Sequence, residues 1–282
     1  MEKGKETALN SDRYERGHPL IDIRTVERIR TSGVTIDSVP DRVSILEAYS
    51  LRYDVPADNV IISGCLVIGM LPHVIASLAS ILDRKGASYT FLSKEYCCGN
   101  YLYRPAVQAQ NEEALSECRE LSKEFVGHNI RQAQSLGAKR LVIFCSPCYP
   151  IYKHAFPEQR IIFYPAMIAE VMGSISLKQR IDYYAGCYRL HRKLAPVPMD
   201  LRSTEDVFRQ IDGLDVHRIS APRCCYTPEG LSHIGQNVQT RLVVHVCTGC
   251  YCQHLGEVSK ESGIEVMMLP QFVEKAMKQV SD

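Results

Sequence analysis

Twelve cysteines stand at positions 65, 97, 98, 118, 145, 148, 187, 224, 225, 247, 250 and 252, about twice what average usage would place in a chain of this length. Ten of them form one pattern written twice: a single Cys, a spacer, a Cys-Cys doublet, a second spacer, and Cys-x-x-Cys. The spacers are 31 and 46 residues in the first half and 36 and 21 in the second. Two residues between cysteines make a turn that points both sulfurs the same way, so Cys-x-x-Cys at a strand end lets two thiolates converge on one metal centre. The side chains of a doublet diverge, which suits two different irons of one cluster better than a single tetrahedral zinc. Five thiolates per half also exceed the four that a zinc ion or a cubane cluster takes.

The residues around the cysteines repeat as well. Val60-Ile61-Ile62-Ser63-Gly64-Cys65 returns as Ile181-Asp182-Tyr183-Tyr184-Ala185-Gly186-Cys187, and Tyr96-Cys97-Cys98-Gly99 as Arg223-Cys224-Cys225-Tyr226. Arg140 to Tyr149 returns as Arg241 to Tyr251 with one insertion, and Ile161 to Pro165 as Val266 to Pro270. Each half therefore reads as one supersecondary unit with five matched cysteines. Disulfide staples are the competing use of so many cysteines. Adjacent pairs such as Cys97-Cys98 and Cys224-Cys225 oppose it, because disulfide geometry wants well-separated Cα atoms.

The strands and helices that must position these thiols follow from period and breakers. The runs 60–64, 140–145, 161–164, 181–184, 242–246 and 265–269 are short, apolar and rich in Ile, Val, Phe and Tyr, as buried strands are. Helical stretches at 72–84 and 106–136 lie between them, with Gly137 as a terminator. Strand alternating with helix implies parallel sheets. The expected fold class is α/β: two small lobes related by a pseudo-twofold, each with a short, mainly parallel sheet, at 58–178 and 179–282, after an N-terminal helical extension at 1–57. In such lobes the loops after the strand C-termini gather at one edge of the sheet, where ligands bind. Cys65, Cys145, Cys187 and Cys247 fall there. The extension shows helical spacing at Pro19 to Ile29 and Asp41 to Leu51, with Asp41 as a cap, and reads as a cover for one lobe or as a docking element for a partner.

Composition narrows the partners. The 282 residues carry 33 basic and 32 acidic side chains, a net charge of +1, which gives no bulk electrostatic case for nucleic acid or an anionic membrane. No apolar run is long enough to span a bilayer, and the polar start is unlike a secretory signal, so a cytoplasmic location is expected.

Gly64-Cys65, Cys97-Cys98-Gly99, Cys145-Ser146-Pro147-Cys148-Tyr149, Gly186-Cys187, Cys224-Cys225 and Cys247-Thr248-Gly249-Cys250-Tyr251 together resemble the cysteine-rich CCG domain, in the tandem arrangement of the cysteine-rich subunit of heterodisulfide reductase. The resemblance covers residues 60 to about 280. It implies that each five-cysteine set binds a noncubane [4Fe-4S] cluster, the first through Cys65, Cys97, Cys98, Cys145 and Cys148, the second through Cys187, Cys224, Cys225, Cys247 and Cys250. It further implies two clusters facing each other and delivering one electron each to a clamped disulfide, which matches one-electron carriers to a two-electron bond. Two departures stand out. The family's spacer before Cys-x-x-Cys is usually in the low thirties, against 46 and 21 here, and Tyr226 stands where the first half has Gly99. Zinc or a conventional cluster in one half is therefore an open alternative.

The chain has no ferredoxin-type cysteine run, no dinucleotide fingerprint and no phosphate-binding loop. Electrons are thus expected from partners: a ferredoxin-like iron-sulfur subunit and a flavin or other input subunit. Three functions remain in view: a catalytic subunit acting on a small disulfide or thiol, a non-catalytic electron relay, and a zinc-bearing scaffold. Among single residues, Cys118 reads as a buried small hydrophobe, and Cys252, one residue beyond the second Cys-x-x-Cys, could substitute as a ligand in the divergent second site. His191 and His254 each follow a motif cysteine by four residues, where a histidine can protonate a leaving thiolate or simply be solvated or packed. Tyr149 and Tyr251 read as packing partners of the sites.

Overall fold

The computed structural model describes residues 17–36, 41–188, 191–257 and 263–279. In chain order the elements are α1 (Ile23–Ser32), α2 (Arg42–Ala48), β1 (Asn59–Ile62), α3 (Val67–Met70), α4 (Pro72–Arg84), β2 (Tyr89–Phe91), α5 (Tyr103–Ala109), α6 (Glu112–Ser135), β3 (Arg140–Ile143), α7 (Cys148–Ala155), β4 (Ile161–Phe163) and α8 (Tyr164–Met172). The second half continues with β5 (Ile175–Tyr184), α9 (His191–Leu194), α10 (Arg202–Arg209), β6 (Ile211–Arg218), α11 (Pro228–Gln236), β7 (Leu242–His245), α12 (Thr248–Glu257), β8 (Glu265–Met268) and α13 (Leu269–Gln279). Two four-stranded sheets result, ordered β2-β1-β3-β4 and β6-β5-β7-β8, with every pairing parallel. The orders are the same, so the repeat in sequence is a repeat in topology and the α/β class with two small lobes holds.

Both sheets change winding direction between their first and third strands. That is the crevice where open α/β sheets bind ligands, beyond the strand carboxyl ends. The loops carrying Cys65 and Cys145 leave β1 and β3, and those carrying Cys187 and Cys247 leave β5 and β7. The strands that feed these loops are buried at their carboxyl ends, where apolar and aromatic side chains predominate and Asp182 and His245 are the buried polar exceptions.

Two strands escape the sequence reading. β2 has only three residues, Tyr-Thr-Phe, too few to show a period. β6 and the first six residues of β5 alternate apolar with charged or polar side chains and are mostly exposed, because before Ile181 the pair extends as a two-stranded arm. The stretch 106–136 is two helices. Gln110 takes a left-handed conformation, φ 52°, and Asn111 starts α6 by accepting from the Ala114 N–H.

The extension packs on the first half. Asp22 caps α1 and Asp41 caps α2, and Val26, Ile29 and Leu46 are fully buried. Arg30 grips Glu124 of α6 with two bonds, 2.8 and 2.9 Å. Between the halves, α4 packs on α13 and α8 on α10, and the Tyr164 hydroxyl donates to the Val246 carbonyl at 3.0 Å. No helix of the described residues is long and apolar enough to cross a membrane.

Candidate functional site

All twelve cysteines are free thiols. In the first half, five form a continuous chain of contacts: Cys65 donates to Cys97, Cys97 to Cys98, and Cys148 to both Cys98 and Cys145. The Cys148 and Cys98 sulfurs are 3.3 Å apart. Donation from Cys148, then from Cys97, holds the Cys98 thiol down to about 6, while Cys148 itself is pushed up by its two sulfur acceptors. The second half repeats this. Cys225 interacts with Cys224 and with Cys250, the Cys225 and Cys250 sulfurs being 3.1 Å apart, and Cys250 also interacts with Cys247, which it holds down to about 7. Cys187 joins them around Tyr184, whose phenol is made less acidic by burial and then by the charges of Cys250, Cys225, Cys187 and Cys247. The structure therefore brings together each sequence-matched set.

The geometry needs the glycines of the Gly-Cys pairs. Gly64 has φ 95°, and a Cβ there would lie 2.5 Å from Cys145 Cβ; Gly186 has φ 101°, and its Cβ would lie 3.2 Å from Cys247 Cβ. Adjacent strands thus bring their cysteine loops so close that a side chain does not fit between them. The two doublets are held differently. In the first, Gly99 has φ 76° and donates to the Cys97 sulfur at 3.4 Å. Helix α6, made by the long spacer, clamps this doublet from outside: Ser122 donates to the Cys98 carbonyl at 2.7 Å, and Asn129 bonds both backbone groups of Tyr96. In the second, Tyr226 does not take the left-handed conformation of Gly99, and the short spacer leaves room only for the nine-residue α11. That helix meets the doublet directly. Thr227 caps it while donating to the Cys224 carbonyl, and a Cβ on Gly230 would come within 2.0 Å of that carbonyl oxygen.

Replacing Gly230 with alanine should accordingly displace the Cys224 backbone and perturb the second set alone. Gly235, on the same helix with nothing within 4 Å of its added Cβ, supplies the control. Gly235→Ala should be neutral or stabilising by up to about 1 kcal/mol. Urea midpoints and thiol accessibility of the two variants check this, and equal behaviour would contradict it.

The first set lines a cavity of about 180 Å³. Thr248, Gly249, Cys252 and Tyr226 of the second half also line it. In the other direction, the Ser146 hydroxyl, fully buried and without a hydrogen-bond partner, lies near Cys247 and, after Cys250, helps hold its pKa down. Thr35 of the extension, its buried hydroxyl likewise without a hydrogen-bond partner, lies near Cys65, whose thiol is pushed up by Cys97 and by burial, with Thr35 opposing. Helices α7 and α12 both begin at the cysteine loops, so their positive N-terminal ends face the sulfurs and favour thiolates.

Cys252 lines the cavity of the first set and lies near both Cys247 of the second set and Cys145 of the first. Two residues along α12 is about 200° of rotation, so Cys250 and Cys252 face opposite ways. His254 is fully buried, with Nδ1 2.7 Å from His245 Nε2, and the outer nitrogens of the pair have no partner. Burial lowers it to about 4, so it is neutral near pH 7. The side chain of His191 lies outside the described residues. Cys118 is buried, with its thiol on the Leu102 carbonyl and burial pushing it up to about 12. Tyr149 packs on Phe163, with ring centroids 5.4 Å apart, and Tyr251 against His245 at 6.3 Å.

The lowered His254 has a consequence for stability. A histidine neutral in the fold but basic when unfolded costs nothing above its unfolded value of about 6.5 and penalises the fold as pH falls from there towards 4, by up to about 1.4 kcal/mol per pH unit. His254→Gln should flatten the fall of the urea midpoint between pH 7 and 5. An unchanged slope would mean that the group does not titrate on unfolding.

What the residues can do follows from number and burial. Five converging sulfurs exceed the ligands of one tetrahedral ion. The orphaned hydroxyls of Thr35 and Ser146 are donors placed for an electron-rich sulfur centre. The donor set therefore fits an iron-sulfur cluster. Residues 60–150 match the CCG family, described as a cysteine-rich domain, so the first half carries such a domain. Domains of this type are typical of redox iron-sulfur proteins. None of the curated proteins searched matches the chain.

Proposed function

We propose that this chain is the iron-sulfur subunit of a multi-subunit oxidoreductase, similar to the cysteine-rich subunit of heterodisulfide reductase, with a noncubane [4Fe-4S] cluster on each five-cysteine set. When bound, such clusters supply single electrons. The reading is supported above all by one observation: the two sets share a seam. Ser146, inside the first Cys-x-x-Cys, lies on Cys247 of the second set, while Thr248, its counterpart in the repeat, lines the first cavity. A pair so placed suits a disulfide, which takes two electrons and two protons to give two thiols.

The chain's own residues hold, shield and orient. Cys65, Cys97, Cys98, Cys145 and Cys148 would hold the first cluster, and Cys187, Cys224, Cys225, Cys247 and Cys250 the second. Thr35 and Ser146 are buried, unpartnered hydroxyls near Cys65 and Cys247 that would donate to a cluster's sulfurs, and the N-termini of α7 and α12 offset thiolate charge. Tyr101 and Tyr226 are the hydroxyls exposed at the cavity. Electrons would come from a ferredoxin-like subunit and a flavin or other input subunit. The test is turnover of a small disulfide by the anaerobically purified chain with a reduced viologen dye. Thiol release at a rate above dye and disulfide alone supports the reading, whereas dye oxidation without thiol release points to a relay.

A further inference from the structure

The first cavity grades from sulfur to hydrocarbon. Its cysteines 97, 98 and 148 are almost wholly buried, whereas Met70, Tyr101 and Tyr226 at the same cavity are 59, 56 and 65 % exposed. These are three of only eight large apolar or aromatic side chains that the described surface exposes, so their meeting at one opening is not the scatter expected of a solvated surface. The remaining lining is of the same kind: Leu66, Pro147 and the neutral amides of Asn100 and Gln253. Among the described lining residues there is no Lys, Arg, His, Asp or Glu.

We propose that this opening selects an uncharged thiol or disulfide with an apolar or aromatic body, its sulfur directed inward to the buried cysteines and its body held between Met70, Tyr101 and Tyr226. The inference rests on the function proposed above and adds the substrate class. An anionic ligand would lose hydration with no cation among the described lining residues to replace it. Aromatic rings and a methionine, by contrast, adapt to flat apolar bodies and contact sulfur favourably.

Two thiols of one shape test it, benzyl mercaptan and its para-carboxylate analogue, each titrated into the oxidised, anaerobically purified protein while the paramagnetic and visible spectra are followed. The neutral thiol should perturb the spectra with a dissociation constant at least about tenfold lower. Tyr226→Lys, which adds a cation at an exposed position, should bring the two constants together with no loss of iron. Equal or tighter binding of the carboxylate by the unaltered protein overturns the proposal, as does an iron-loaded protein whose spectra neither thiol changes. A protein without iron would instead defeat the functional reading on which it rests.

Discussion

Replacing Cys98 by alanine should remove about half of the bound iron and sulfide and leave the second centre's spectrum in place, and Cys225→Ala should do the converse. Each is the hub of its set. Cys98 interacts with both Cys97 and Cys148, and Cys225 with both Cys224 and Cys250. Deleting a hub removes one of five donors and leaves the others without their common neighbour, which a cluster ligated through all five does not survive. The two variants separate the sites, because they lie on different sheets and each doublet is clamped by its own helix. Iron analysis and electron paramagnetic resonance of both proteins decide it. Retention of a full complement by either variant would show that its cysteine is not a ligand.

The second large effect concerns Arg42. Its guanidinium bonds the Leu92 carbonyl, the Ser63 hydroxyl and Glu95, and Glu95, whose side chain is 1 % exposed, also accepts from the Ser63 and Gly64 N–H groups. An extension helix thus holds, through one buried ion pair, the loop that presents Cys65. Removing the cation strands a buried carboxylate, and such losses cost about 3–5 kcal/mol. Arg42→Met should lower unfolding stability by that amount and release iron from the first centre before the second. Adding Glu95→Gln should restore part of the loss, since a neutral amide keeps an acceptor for the loop. A drop below about 1 kcal/mol in urea unfolding would contradict this account of the extension.

These two cases mark where the sequence was legible. The cysteine sets, the strands that feed them and the caps at Asp41 and Gly137 follow from local pattern, because a buried strand ending in Gly-Cys needs no distant information to be recognised. The short α11 follows equally from the spacer between Cys225 and Cys247. The role of Arg42 does not, since its partners lie 21 to 53 residues away and only the fold brings them together. Thr35 and Ser146 were hidden for the same reason: a hydroxyl serving a sulfur on another element has no spacing rule. The longer first spacer reads as spare helix in one dimension and as the clamp of the doublet in three, through Ser122 and Asn129. Cys252 shows the opposite limit. Its proximity in sequence to Cys250 suggested a shared site, and helix geometry turns it to the cavity lined by the first set while it stays near Cys247.

The central claim is that each half of this chain holds an iron-sulfur cluster. Iron and acid-labile sulfide analysis of protein purified without oxygen tests it most directly. About eight iron and about eight sulfide per chain are the contents of two four-iron clusters. A colourless protein lacking both, or one carrying zinc without sulfide, would contradict it.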